Sequence, residues 1–243
     1  MALAPRFFRW HRWLGYLVAI QVVLWVAGGA LFAWLPFQAW VKAADSVAKP
    51  VQPLPQGWAQ ALAAQQATLG EAAVLELRQA ATASGPAWRV KLADGERWWS
   101  AAGGALPPPG AADVERFARS VYRGPGALVS VVRVHEVPRR WLIVQEARGG
   151  RPLWLARFDD ALATRLYIDA TSGELVAVRN EAWVVYDFFF RLHVMDYLGG
   201  DDFNHPLIRA ASAAALALVA TGGVLSVLAL RRAWRRRRRR HAA

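Results

Sequence analysis

The chain has 243 residues, enough for one medium domain plus a few further elements, and its apolar fraction of 55% with 13 tryptophans exceeds what a soluble domain needs. It contains no cysteine, which excludes disulfides, thiolate metal sites, iron–sulfur clusters and cysteine nucleophiles. Of the net charge of +12, eleven charges come from Arg6, Arg9 and Arg12 and from Arg231, Arg232 and Arg235 to Arg240, so the basic balance belongs to the two ends and not to a nucleic-acid-binding face.

Residues 1–13 form a basic start. Residues 14–36 follow as an apolar run with no charge, LGYLVAIQVVLWVAGGALFAWLP. At about 1.5 Å per residue such a helix crosses a hydrocarbon core of about 30 Å. A cleaved signal peptide also has a basic start and an apolar core. This run is long for one, and Trp34, Phe37 and Trp40 read as an interfacial belt, which favours an uncleaved anchor. A second span is expected over residues 206–230, opened by Pro206 and closed by the arginines of residues 231–243. Basic residues beside both spans put both termini in the cytoplasm and residues 37–185 on the far side of the membrane. The arginine-rich tail is expected to orient its helix and meet anionic lipid.

Between the spans the pattern reads helix then antiparallel meander, twice, an α+β domain. The first unit has a helix at 57–69, a strand at 72–78 and two short strands around Asp94-Gly95. After the hinge GGALPPPGAA come a helix at 113–122 and strands at LVSVVRV, WLIVQEA and PLWLARF. The hairpin TRLYIDATSGELVAVR closes the domain, with Asp169 bracing the turn and Gly173 supplying its left-handed residue. Residues 186–205 are expected to form an interfacial helix and loop, seated by Phe188, Phe189, Phe190 and Leu192.

The polar residues around the spans are the candidate site. His11 shares a helical face with Gly15, Val18, Val22 and Gly29, and a glycine-punctuated face leaves room for a flat group; the alternative is a histidine contacting headgroups. His193 sits on the interfacial helix as a ligand or as a solvated side chain. His205, before Pro206, is a ligand, a helix cap or a loop end. Met195, two residues from His193, points elsewhere. Asp196, Asp201 and Asp202 offer oxygen ligands suited to Fe(III), or form a capping turn. Gly28-Gly29 lies at the height of a group below His193, and Gly222-Gly223 opposite His11; close helix packing is the other reading.

LYIDATSGELVAV resembles the end of a PepSY domain. RWHRWLGYLVAIQVVLWVAGG and LHVMDYLGGDDFNHPLIR resemble segments of the PepSY-associated transmembrane helix family. Longer members have four or more spans and this chain has two. The resemblance implies a haem b protein of the bacterial inner (cytoplasmic) membrane with a periplasmic PepSY-like domain, similar to ferric or ferric-siderophore reductases. His11 and His193 lie at opposite ends of the spans, so one iron cannot use both; a homodimer with a four-helix bundle would pair each with its copy and hold two haems. Electrons would come from quinol or a separate cytoplasmic donor, since no dinucleotide fingerprint is present, and pass outward to Fe(III) as substrate. The rival expectation is a non-redox PepSY membrane regulator, or an accessory subunit of a transporter or sensor.

Overall fold

The computed structural model describes residues 3–70, 72–148, 150–197 and 204–241. It is α+β and divides into two compact units, Met1–Trp34 with Phe188–Ala243, and Leu35–Asp187.

The first unit is helical. Helix α1 (Leu3–Trp34) pairs with α5 (Pro206–His241), and each carries a 30-residue stretch long and apolar enough to cross a membrane. The two run antiparallel in a register fixed by His11 against Gly222 and Gly15 against Leu218. Carried along the helices, that register sets Pro206 at the height of Ala27, inside the apolar run of α1.

The second unit holds the sheets. Helix α2 (Trp58–Gln66), followed by one 3₁₀ turn, leads to the antiparallel meander β1 (Val74–Thr82), β2 (Gly85–Leu92) and β3 (Gly95–Ser100). Trp88, Val90, Leu92 and Trp99 on one face pack with Leu54, Leu62 and Leu69. Helix α3 (Ala111–Val121) opens at Gly110, whose N–H donates to the Asp113 carboxylate at 3.0 Å. It buries Val114, Phe117, Ala118 and Val121, a single stripe at helical spacing. That stripe covers one face of the meander β4 (Leu128–Val134), β5 (Leu153–Phe158), β6 (Arg165–Asp169) and β7 (Leu175–Arg179), meeting Ala156, Phe158, Leu166 and Ile168. The opposite face carries Leu153, Leu155, Tyr167 and Ala177 and is covered by Val137 and Ala147 of the β4–β5 connection. Strand β6 is therefore buried on both faces.

The expected strand WLIVQEA does not form. Residues 140–147 are turn and loop, with Trp141 and Leu142 at φ of 46° and 67°, a left-handed pair incompatible with a strand. The hairpin after β6 forms as expected: Asp169 Oδ1 accepts the N–H groups of Thr171 and Ser172 at 2.8 Å each, and Gly173 stands at φ 71°. A Cβ on Gly173 would come 2.9 Å from the Ala83 nitrogen, so that turn also needs glycine for close approach.

Helix α4 (Glu181–Val194) begins in the sheet unit and ends in the helical unit. Asn180 caps its start, its Oδ1 accepting the Trp183 N–H at 2.7 Å, while its Nδ2 donates to the Trp40 carbonyl at 2.6 Å.

Candidate functional site

The last four carbonyls of an α-helix have no partner within the helix, and in α4 each of them finds one elsewhere. The chain turns at Met195, whose φ of 56° fills the left-handed position usually given to glycine, and the Asp196 N–H returns to the Arg191 carbonyl at 3.2 Å. Gln21 Nε2 donates to the Leu192 carbonyl at 2.9 Å, and Trp25 Nε1 to the His193 carbonyl at 2.6 Å. His205 Nε2 meets the Val194 carbonyl at 3.0 Å. Gln21 and Trp25 lie about 15–20 Å along α1 from Leu35. Complete satisfaction of a helix end is what a medium without water demands. Gln21 would otherwise be an unexplained amide in the middle of an apolar run, and its purpose became visible only with α4 beside it.

His193 thereby sits beside α1 and not beyond its end. Its ring lies between Trp25 and Phe32, with centroids 6.1 and 6.2 Å away, and 3.9 Å from where a Cβ on Gly28 would stand. Its Nδ1 is buried and makes no hydrogen bond. Leaving such a nitrogen unpaired costs about 1–3 kcal/mol, which asks for a compensating function.

His11 faces α5 at the other end of the pair. Its Nδ1 lies 3.1 Å from the Leu218 carbonyl and 3.2 Å from Thr221 Oγ1. A carbonyl only accepts, so Nδ1 carries a proton, and in the neutral ring Nε2 keeps its lone pair. That is the tautomer of a metal-binding histidine whose other nitrogen is held by a backbone carbonyl. A methyl group on Gly222 would come 3.0 Å from His11 Cε1, so this glycine makes the space the imidazole uses. His11 and the ring beside Gly28 are separated by 17 residues of α1, about 25 Å.

The structure sorts the remaining candidates. Gly15 packs against Leu218, while Gly29 and Gly223 face open space. The inward face of α1 thus passes through Gly28 instead of Gly29, because α4 replaces α5 as its neighbour at that height. His205 caps the end of α4. Asp196 is buried, 8% exposed, and Asp201 and Asp202 lie outside the described residues. No group of three histidine, aspartate or glutamate side chains converges as a metal site among the described residues. Both histidines nevertheless fit an imidazole-ligated group, by the Nε2 of His11 beside Gly222 and the orphaned Nδ1 of His193 beside Gly28.

The sheet unit contains a second polar centre that the sequence did not announce. Glu146, 3% exposed, accepts from Arg165 Nε and Nη2 at 2.8 Å each, from Tyr167 Oη at 2.7 Å and from Arg140 at 3.1 Å. Glu181, in the first turn of α4, pairs with Arg140 at 2.7 Å and Arg165 at 2.8 Å. Burial works to raise the Glu146 carboxyl, but the hydrogen bonds from Tyr167 and Arg165 outweigh it and hold it below the usual carboxylate range. Burial pushes the Tyr167 hydroxyl up, and Glu146 adds to that rise. A cavity of about 370 Å³ opens beside this cluster, lined also by Val134, Val137, Leu155 and Arg157. The cluster ties the β4–β5 connection to β6 and to the start of α4. Glu146 lies in the segment whose apolar residues suggested a strand, which hid its role.

Comparisons of the chain with family models, with curated proteins and with solved structures return no match.

Proposed function

We propose that this chain is a haem b protein of the bacterial inner membrane that, as a homodimer, passes electrons outward to Fe(III) or a ferric siderophore at the periplasmic face. The observation that carries the reading is the pair of imidazoles, one near each end of the spans, each set against a glycine of the neighbouring helix with a ring nitrogen uncommitted. Imidazole-ligated haem supplies one-electron transfer.

The chain's own residues supply the rest. Leu218 and Thr221 fix the tautomer of His11. Gln21 and Trp25 hold the backbone that carries His193. The separation of about 25 Å prevents one chain from using both histidines on one iron, so a two-fold axis that brings each histidine to its copy is part of the proposal. Oxidation of one quinol to quinone releases two protons and two electrons, which reduce two Fe(III) to two Fe(II); a separate cytoplasmic donor is the other source. The PepSY resemblance of the sheet domain and the carboxylates of Asp196, Asp201 and Asp202 support the ferric substrate.

Purified protein expressed with haem supplied is expected to show a Soret band and sharp reduced bands of bis-histidine haem b. His11→Ala and His193→Ala are each expected to lose about half of the bound haem, one site of two. A colourless protein, or full haem retention in both variants, overturns the reading.

A further inference from the structure

Strand β1 is hydrogen-bonded within its sheet on one side only. Part of its other edge is covered: Gln52 bonds the Thr82 N–H and carbonyl at 3.2 and 3.0 Å, and its own carbonyl accepts from the Gln79 side chain at 2.8 Å. Val74 to Arg78 are exposed along their whole length, and among the described residues their one ion pair is an exposed contact of Arg78 with Glu174 at 3.4 Å. An open edge with apolar side chains is a template for another strand, and proteins that leave one open use it or protect it with charge.

The sequence of this stretch is complementary to itself. In an antiparallel pairing centred on Leu77, Leu77 meets its own copy, and Glu76 of each chain stands opposite Arg78 of the other. Opposite charges directly across such a pair are favourable. Alternation puts Glu76 and Arg78 on one face of the sheet and Leu77 on the other, while a bulge between Val74 and Glu76 interrupts the alternation at Leu75. The second face is the one bearing Trp88, Val90, Leu92 and Trp99. Leu77, paired with Val90, continues it but remains 38% exposed. The edge strand β4 of the other sheet offers no such match about its centre, since the same operation about Val131 places Arg133 opposite Val129.

We infer that the β1 edges of two chains pair antiparallel about Leu77, joining two three-stranded sheets into one of six strands. The inference names the contact surface of the dimer and rests on the homodimer in the proposed function, though not on its haem. The pairing brings the two copies of Leu77 together on one face and makes two Glu76–Arg78 ion pairs on the other, in exchange for the exposed Arg78–Glu174 contact. Its occupant is a second copy of this chain.

The absence of cysteine makes the test clean. Leu77→Cys in the full chain, in detergent and in native membranes, is expected to form a disulfide-linked dimer rapidly under mild oxidation. Residues directly opposed across such a pair have Cα atoms about 4.5–5.5 Å apart, within disulfide range. Val132→Cys on β4 and Leu142→Cys on the exposed loop are expected to cross-link at least about tenfold more slowly, by random collision. In the Leu77→Cys background, Glu76→Arg or Arg78→Glu alone should slow cross-linking about tenfold, and the two together should restore it. A protein that is dimeric by light scattering, yet whose Leu77→Cys cross-links no faster than the controls, overturns the β1 contact and leaves the dimer standing. A protein that is monomeric by light scattering and does not cross-link overturns both.

Discussion

Two of the buried polar centres of this chain are finished differently. Around Glu146 the carboxylate is fully engaged: Arg165, Arg140 and Tyr167 converge on it, Glu181 takes further guanidinium contacts, and Arg179 donates to the Glu146 backbone carbonyl at 2.8 Å. Around His193 the backbone is closed with equal care, by Gln21, Trp25, His205 and the Asp196 amide, but the imidazole keeps one buried nitrogen unpaired. A closed network holds structure. The contrast is therefore between a carboxylate whose oxygens are fully engaged and an imidazole with an unengaged nitrogen, which the proposal assigns to a ligand.

Breaking the closed centre should have the largest effect. Glu146→Ala takes the two-pronged carboxylate from the buried Arg165, leaving it Glu181 alone, and is expected to destabilise the full chain by about 3 kcal/mol in denaturant unfolding, without altering any haem spectrum. Next comes the backbone cap of α4. Trp25→Phe removes the donor to the His193 carbonyl and is expected to cost about 1–3 kcal/mol, and because His193 loses its anchor it should also shift the haem midpoint potential.

The open centre should behave in the opposite sense. In cofactor-free protein His193→Phe removes an unpaired buried nitrogen and should leave thermal stability unchanged or raised, while abolishing haem uptake at that site. A clear loss of stability in that variant would mean that the nitrogen is satisfied and that the contrast does not exist.

The smallest effect is that of pH on the closed centre. The Arg140 hydrogen bond lowers the Glu181 carboxyl, as Tyr167 and Arg165 lower that of Glu146. A carboxylate depressed on folding stabilises the protein fully above its unfolded value and loses that contribution as pH falls through the folded one. Stability measured against pH should therefore hold through neutrality and decline below roughly pH 4. Glu146→Gln should flatten that decline.

What the sequence made legible follows from periodicity. The two long apolar helices, helix α3 and the Asp169–Gly173 turn depend on local spacing, and each forms close to where the pattern put it. The depth of α4 was not legible, because it depends on Gln21 and Trp25 meeting residues some 170 positions away. WLIVQEA misled for a related reason. Its apolar residues fit a strand in isolation, but Glu146 is drawn into the ion cluster and Ala147 into the β-sheet core, which holds the segment as a loop. Among the histidines, the pairing of His11 with Gly222 was open to counting along antiparallel helices, whereas the use of His205 to cap α4 was not, since no spacing rule links residue 205 to the carbonyl of residue 194.

The most direct test of the central claim is the absorption spectrum of the purified full chain, recorded oxidised and then reduced, beside that of a His11→Ala/His193→Ala double variant. The proposal predicts a reducible haem b spectrum in the parent, absent from the double variant, and reoxidation of the reduced parent on addition of ferric citrate. A parent that carries no haem, or a double variant that keeps its full spectrum, would contradict it.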